Sequence, residues 1–170
     1  HGLALEGVDT ALRSIYPPAC VSDEHFIVAA SDALVRHGPR LLGWLDHAPQ
    51  TNEVARAAVL IAAANMLAAR FRLPMVLSEL GSSAGLNLNF DCYALRAGSV
   101  CLGPADAALI LTPDWRGAAP DSGPLDIAAR AGVDLSPLDP VADAMRLRAY
   151  TWADQAERQS RLDAALDIAA

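Results

Sequence analysis

Small residues follow a short apolar run near the middle of the chain, in the segment Glu79-Leu-Gly81-Ser-Ser-Ala-Gly85. The run itself, Met75-Val-Leu77, lies between a proline and a glycine and predicts a buried parallel strand. A helix is expected after the turn, over about 84–90. Because a helix N-terminus presents free N–H groups and glycine lets a ligand approach the backbone, this arrangement is typical of an anion or nucleotide site.

Two other types of site are built on such a turn. Dinucleotide binding needs G-x-G-x-x-G, but the second and third positions are Ser83 and Leu86, so this use is discounted. The nucleophile elbow, G-x-S-x-G, is matched with Ser83 as the nucleophile. A serine hydrolase of this type needs a histidine after the serine, and every histidine in this chain precedes Ser83. A serine hydrolase is one alternative function.

The third use is the methyltransferase loop, an acidic residue followed by x-G-x-G-x-G. Glu79, Gly81 and Gly85 fit this pattern, and Ser83 replaces the middle glycine. Further along, Gly132-Val-Asp134-Leu-Ser-Pro137 resembles the second-strand motif of class I methyltransferases. That resemblance implies that Asp134 accepts hydrogen bonds from the ribose hydroxyls, for which a carboxylate is well suited. The acid usually follows the turn by about 20 residues, so an insertion at 91–115 must account for the longer gap.

These patterns predict an S-adenosylmethionine site and a small-molecule ligand. The residues expected to bind the cofactor are Glu79, Gly81, Ser82, Ser83, Gly85, Asn87 and Asp134. Candidates for the substrate pocket are Asn52, Glu53 and Asn89. Glu79 is equally suited to capping the next helix, and Thr51, Asn52 and Glu53 are more often simple caps. No catalytic residue is identified, and the histidine spacing predicts no metal site.

Longer stretches resemble a bacterial domain-of-unknown-function family, number 2332. They are Pro49-Gln-Thr-Asn-Glu-Val54, Leu77 to Leu88, Trp115-Arg-Gly117, Gly132 to Asp139 and Trp152-Ala-Asp-Gln155. The likeness runs from about Ile15 onward. It implies a methyltransferase-like fold but brings no established activity. Members are longer at both ends, and this chain starts without methionine, so we expect a fragment of a longer protein.

Helical spacing dominates residues 1–70, which predict a helical N-terminal portion. Ser22 is the expected cap of one helix, and 52–70 predicts another that is apolar almost all round and therefore buried on more than one side. Residues 71–170 predict a partial Rossmann-like (methyltransferase-like) sheet with an inserted β-hairpin within 91–115. A second parallel strand is expected at 127–133 and a closing helix at 154–170. The predicted fold class is α/β.

The amino-acid composition argues against several classes of function. The formal charge is −7, and an acidic protein is a poor partner for nucleic acid. All basic residues are arginine, and the absence of lysine excludes a Walker A loop and a pyridoxal Schiff base from this segment. The longest apolar run, 57–69, is shorter than the roughly 20 residues that span a bilayer. Three cysteines without C-x-x-C spacing are typical of reduced thiols, so a cytoplasmic protein is expected. A non-catalytic, degenerate nucleotide-fold module is the other alternative.

Overall fold

Helices and two small sheets form a mixed α/β fold, which the computed structural model describes over residues 1–170. Contacts between residues divide the chain into two compact units. The first unit contains 1–51 and 144–159, and the second contains 52–143 and 160–170. The predicted portions, 1–70 and 71–170, are drawn on the type of secondary structure, and that division stays a prediction.

The first unit is helical. It contains α1 (Gly2–Leu5), α2 (Thr10–Ile15), α3 (Asp23–Arg36), α4 (Gly38–Trp44) and α6 (Ala144–Ala149). Ser22 caps α3 as expected, because its side chain accepts a hydrogen bond from the His25 N–H. The core of this unit is formed by Leu3, Ala4, Leu12, Ile15, Ala29 and Ala33.

The second unit begins with a 3-10 helix, Val54–Arg56, that leads into α5 (Ala57–Phe71). The cap of the 3-10 helix is Glu53, whose carboxylate accepts from the Ala55 N–H. Of the three expected caps, Glu53 is therefore confirmed, and Thr51 and Asn52 are wrong. Helix α5 buries one stripe of mostly small residues and leaves Val59 71% exposed, which corrects the expectation of burial on several sides. The segment Val54–Phe71 is long and apolar enough to cross a membrane by length and composition, a test that core helices of soluble proteins also pass.

A two-stranded parallel sheet carries the glycine turn. Strand β1 (Met75–Leu80) pairs with β5 (Ile127–Val133), so both strands form where the sequence predicts parallel strands. In the register, Glu79 lies opposite Gly132 and Leu80 opposite Val133. Strand β1 is only half-buried, with Leu80 87% exposed, and the expectation of a fully buried strand is wrong.

A second sheet lies between these strands in the sequence. Strands β2 (Ala94–Ala97) and β3 (Val100–Leu102) form the predicted antiparallel hairpin, and β4 (Ile110–Leu111) pairs parallel with β2. Helix α5 contacts β2, β3 and a second 3-10 helix, Leu86–Cys92. The buried apolar residues of these elements include Ile61, Leu86, Leu95 and Leu102.

The last helix is α7 (Ala156–Ala169), close to the predicted 154–170. Its buried residues are Leu162, Ala165 and Leu166, which recur at helical spacing and form one stripe. The short helix α6 is a helix that the sequence analysis did not predict.

Candidate functional site

The turn after β1 has three residues with positive φ. These are Gly81 at 69°, Ser83 at 54° and Gly85 at 69°. A Cβ added at Gly81 would meet no atom within 4 Å, so the backbone there borders open space. Glycine adopts such angles without steric strain, whereas other residues lose stability there, so the backbone of Ser83 is strained. The turn therefore combines an accessible backbone with a strained serine.

Asp134 lies against this turn, although 51 residues separate it from Ser83. Its Oδ2 accepts a hydrogen bond from the Ser83 N–H at 2.8 Å, and its Oδ1 accepts from the Ser136 N–H at 2.9 Å. The N–H groups of Gly81 and Ser82 both donate to the Val133 carbonyl, at 2.8 and 3.2 Å. Since β1 and β5 are parallel neighbours, their carboxyl ends meet at one edge, and the turn and the acid meet there.

The approach of the two segments is close because position 132 is glycine. A Cβ at Gly132 would lie 2.5 Å from the Ser82 Oγ and 2.7 Å from the Ser82 Cβ. No side chain fits in that space unless the turn moves. Gly132 thus permits the contact between β5 and the turn.

Two buried amide side chains connect the turn to neighbouring residues through hydrogen bonds. Asn52 Nδ2 donates to the Ser82 carbonyl at 3.1 Å, and Asn87 Nδ2 donates to Asn52 Oδ1 at 3.3 Å. Asn52 and Asn87 are 8% and 3% exposed. Asn87 also forms a side-chain hydrogen bond with Glu79. These predicted residues therefore form one buried network, although they are not adjacent in sequence.

Several polar atoms at the turn have no hydrogen-bond partner in the protein. They are Glu79 Oε2, Ser83 Oγ and Asn87 Oδ1, all of them buried. Burial raises the pKa of Glu79, while the hydrogen bond from Asn87 and the charge of Arg56 partly offset that rise. Buried polar groups without partners are costly and rare.

Two residues predicted for the pocket have other partners. Glu53 caps the 3-10 helix Val54–Arg56, and Asn89 Oδ1 accepts from Arg130 Nη1 at 2.9 Å. The predicted helix over 84–90 is instead a 3-10 helix that starts at Leu86, so the free N–H groups of a regular α-helix N-terminus are not found there. Pocket roles for Glu53 and Asn89 stay predictions.

Arg130 is a site residue that the sequence analysis missed. Its guanidinium pairs with both carboxylate oxygens of Asp91, at 3.1 and 2.9 Å, and donates to the Leu88 carbonyl. This bidentate pair fastens the 3-10 helix Leu86–Cys92 to β5. The available signal was a lone charge within a strand of small residues, Ala-Ala-Arg-Ala-Gly.

The histidines bear on the hydrolase alternative. Ser83 lies in the second unit, whereas His1, His25, His37 and His47 all lie in the first. The second unit therefore offers Ser83 no histidine base of its own.

These observations define a class of protein, a mixed α/β protein with a glycine turn and a carboxylate at the shared edge of two parallel strands. The model of the family described as "uncharacterized protein conserved in bacteria" (DUF2332) matches residues 1–170. The chain belongs to this family. Comparison with curated proteins and with solved structures gives no match.

Proposed function

We propose that this protein binds S-adenosylmethionine at the turn 81–85 through a partial Rossmann-like, methyltransferase-like sheet. The observation that carries the proposal is the 2.8 Å hydrogen bond between Asp134 and the Ser83 N–H, at the carboxyl edge of β1 and β5. In open α/β sheets, ligands bind at this edge. The turn would hold the cofactor's amino-acid part and Asp134 its ribose.

The chemistry of the side chains suits this ligand. A carboxylate offers about four acceptor positions, so holding backbone N–H groups and binding a vicinal diol are compatible. Glu79 Oε2, Ser83 Oγ and Asn87 Oδ1 have no hydrogen-bond partner in the protein and are buried, so they would accept donors from the ligand once the turn opens. Methyl transfer at such a site is mainly positional, because the protein holds the sulfonium methyl in line with the acceptor atom.

The test is calorimetry of the full-length protein with S-adenosylhomocysteine. Micromolar to sub-millimolar binding is expected, and Asp134→Asn should weaken it by about 10-fold or more because the amide keeps only one acceptor oxygen. Asp139→Asn is the matched control, since Asp139 lies in the next loop and caps exposed N–H groups of its own. Absence of binding at millimolar ligand would reject the proposal.

A non-catalytic module is the second candidate, and one observation favours it. The N–H groups of Gly81, Ser82 and Ser83 all donate within the protein, to Val133 and Asp134. A turn whose amides hold the fold together has fewer left for a ligand. If S-adenosylhomocysteine does not bind and Asp134→Asn only destabilises the protein, this second candidate is the better description.

The positive φ of Ser83 within G-x-S-x-G favours a third candidate, a serine hydrolase, whereas the burial of its hydroxyl counts against it. Labelling of the full-length protein by a fluorophosphonate, lost in Ser83→Ala and kept in Ser82→Ala, would support it. No labelling would end it.

A further inference from the structure

A cavity lies entirely within the first, helical unit. It has a volume of about 650 Å³ and is lined by α1, α4, α6 and the end of α3. Apolar side chains dominate its walls, among them Leu3, Leu34, Leu41, Leu42 and Trp44. Leu34 and Leu42 are more than half exposed, so the cavity opens to solvent on their side. A molecule can therefore enter without unfolding the unit.

The cavity wall also contains polar groups, beside a pair of aromatic rings. The rings of Trp44 and Tyr150 pack edge to face with centroids 5.6 Å apart. The Tyr150 hydroxyl is buried and has no hydrogen-bond partner, and the same holds for both ring nitrogens of His1. A buried tyrosine hydroxyl usually has a partner. Tyr150 lines the cavity, so a small movement of its side chain would bring the hydroxyl to a ligand group.

The rim carries one permanent positive charge, and it is already paired. Arg40 lines the cavity and forms an ion pair with Glu6. An anionic head group would have to compete with Glu6 for the guanidinium. The cavity is therefore better suited to a ligand with a neutral hydrogen-bonding group.

We infer that this cavity is a binding site for a small, largely apolar molecule with one neutral hydrogen-bonding group, such as a hydroxyl, which meets Tyr150. Its volume lies within the range of about 300–1,000 Å³ that is typical of small-molecule sites. Binding would bury the exposed leucine side chains and satisfy the orphaned hydroxyl together. The inference does not depend on the proposed function, because all its residues belong to the first unit.

The first experiment compares 1-naphthol with naphthalene by titration of the full-length protein followed by NMR. We expect 1-naphthol to bind, and Tyr150→Phe to weaken it by roughly 3- to 10-fold, the equivalent of one hydrogen bond. Naphthalene affinity should be the same in both proteins, since it has no group for the hydroxyl. Equal losses for the two probes, or no loss for 1-naphthol, would overturn the role of Tyr150.

The second experiment blocks the cavity. A Cβ at Gly38 or at Gly43 meets no atom within 4 Å, and both glycines lie in α4, but only Gly38 lines the cavity. Gly38→Leu should abolish binding of 1-naphthol, whereas Gly43→Leu should leave it within about 2-fold of the wild-type value. Absence of binding to the wild-type protein, or equal effects of the two variants, would overturn the site.

Discussion

The carboxylate of Asp134 joins two segments that sequence keeps far apart, so its removal should loosen the turn. In Asp134→Ala, the N–H groups of Ser83 and Ser136 both lose their acceptor. Ser83 is 7% exposed, so water has little access to its N–H, whereas Ser136 is exposed and can be rehydrated. The two losses therefore differ in cost.

The magnitude follows from that difference. A buried N–H left without a partner costs about 1–3 kcal/mol, and an ordinary exposed hydrogen bond contributes about 0.5–1.5 kcal/mol. We expect Asp134→Ala to lower the free energy of unfolding by about 2–4 kcal/mol in total. Asp134→Asn should cost about 1 kcal/mol, because the amide oxygen can keep the Ser83 N–H and leave Ser136 to water.

The assay is urea unfolding followed by circular dichroism, with Asp139→Ala as the matched control. Asp139 accepts from the N–H groups of Val141 and Ala142, both exposed, so its loss should be clearly the smaller. Hydrogen exchange should show faster exchange at Ser83 in Asp134→Ala alone. Equal destabilisation by the two alanine variants, or unchanged exchange at Ser83, would refute the reasoning.

Three further predictions concern neighbouring residues. Gly132→Ala should destabilise the protein by about 1–3 kcal/mol, because its Cβ would lie 2.7 Å from the Ser82 Cβ; chemical denaturation measures the loss. Glu79→Gln should raise the Tm at pH 7. Burial raises the Glu79 pKa above its ordinary 4.5, so the wild-type protein loses stability as pH rises through the folded-state pKa. The variant has no such loss, and a plot of Tm against pH should therefore show its higher Tm at pH 7 and no difference from the wild type in acid. Arg130→Lys should cost about 1–3 kcal/mol, because lysine cannot make the bidentate pair with Asp91, and faster amide exchange over 86–92 would report it.

Each of these has a control and a contrary outcome. Gly43→Ala places a methyl group in open space, so a loss as large as that of Gly132→Ala would contradict the steric argument. A Tm advantage of Glu79→Gln that persists in acid would show that charge burial is not its cause. The pair Arg116–Asp114 is almost fully exposed, and Arg116→Lys should change stability by less than about 0.5 kcal/mol. If Arg116→Lys destabilised the protein as much as Arg130→Lys, the bidentate pair of Arg130 with Asp91 would contribute no more to stability than an exposed ion pair.

Local elements could be predicted because neighbouring residues determine them. Capping, turn and period signals within a few residues predict the Ser22 cap, helices α3 and α7, and the hairpin of β2 and β3. The predictions that failed concern burial and helix type. The apolar face of α5 and the residues Val76 and Leu80 of β1 are exposed, since burial depends on what packs against an element. The segment after the turn is a 3-10 helix held by the Arg130 clamp.

Some features of the candidate site could be predicted from the sequence, and others could not. The glycine pattern of the turn, together with the resemblance of 132–137 to the second-strand motif of class I methyltransferases, selected the turn and Asp134 from the sequence. The network of Asn52, Ser82, Asn87 and Glu79 was not visible, because its hydrogen bonds join residues up to 35 positions apart. The tight contact of Gly132 with Ser82 depends on strand register, which no local pattern determines.

By itself, the sequence determined the identities and local geometry of the chemically capable groups: a glycine turn after a strand, a carboxylate after another, and caps between helices. Only the tertiary structure decided which of them meet. Parallel pairing of β1 with β5 brings their carboxyl ends to one edge, and the burial there leaves Glu79 and Ser83 with unpartnered oxygen atoms. The reason is physical: backbone torsions and capping act over a few residues, whereas burial and hydrogen-bond partners depend on chain segments that meet only after folding.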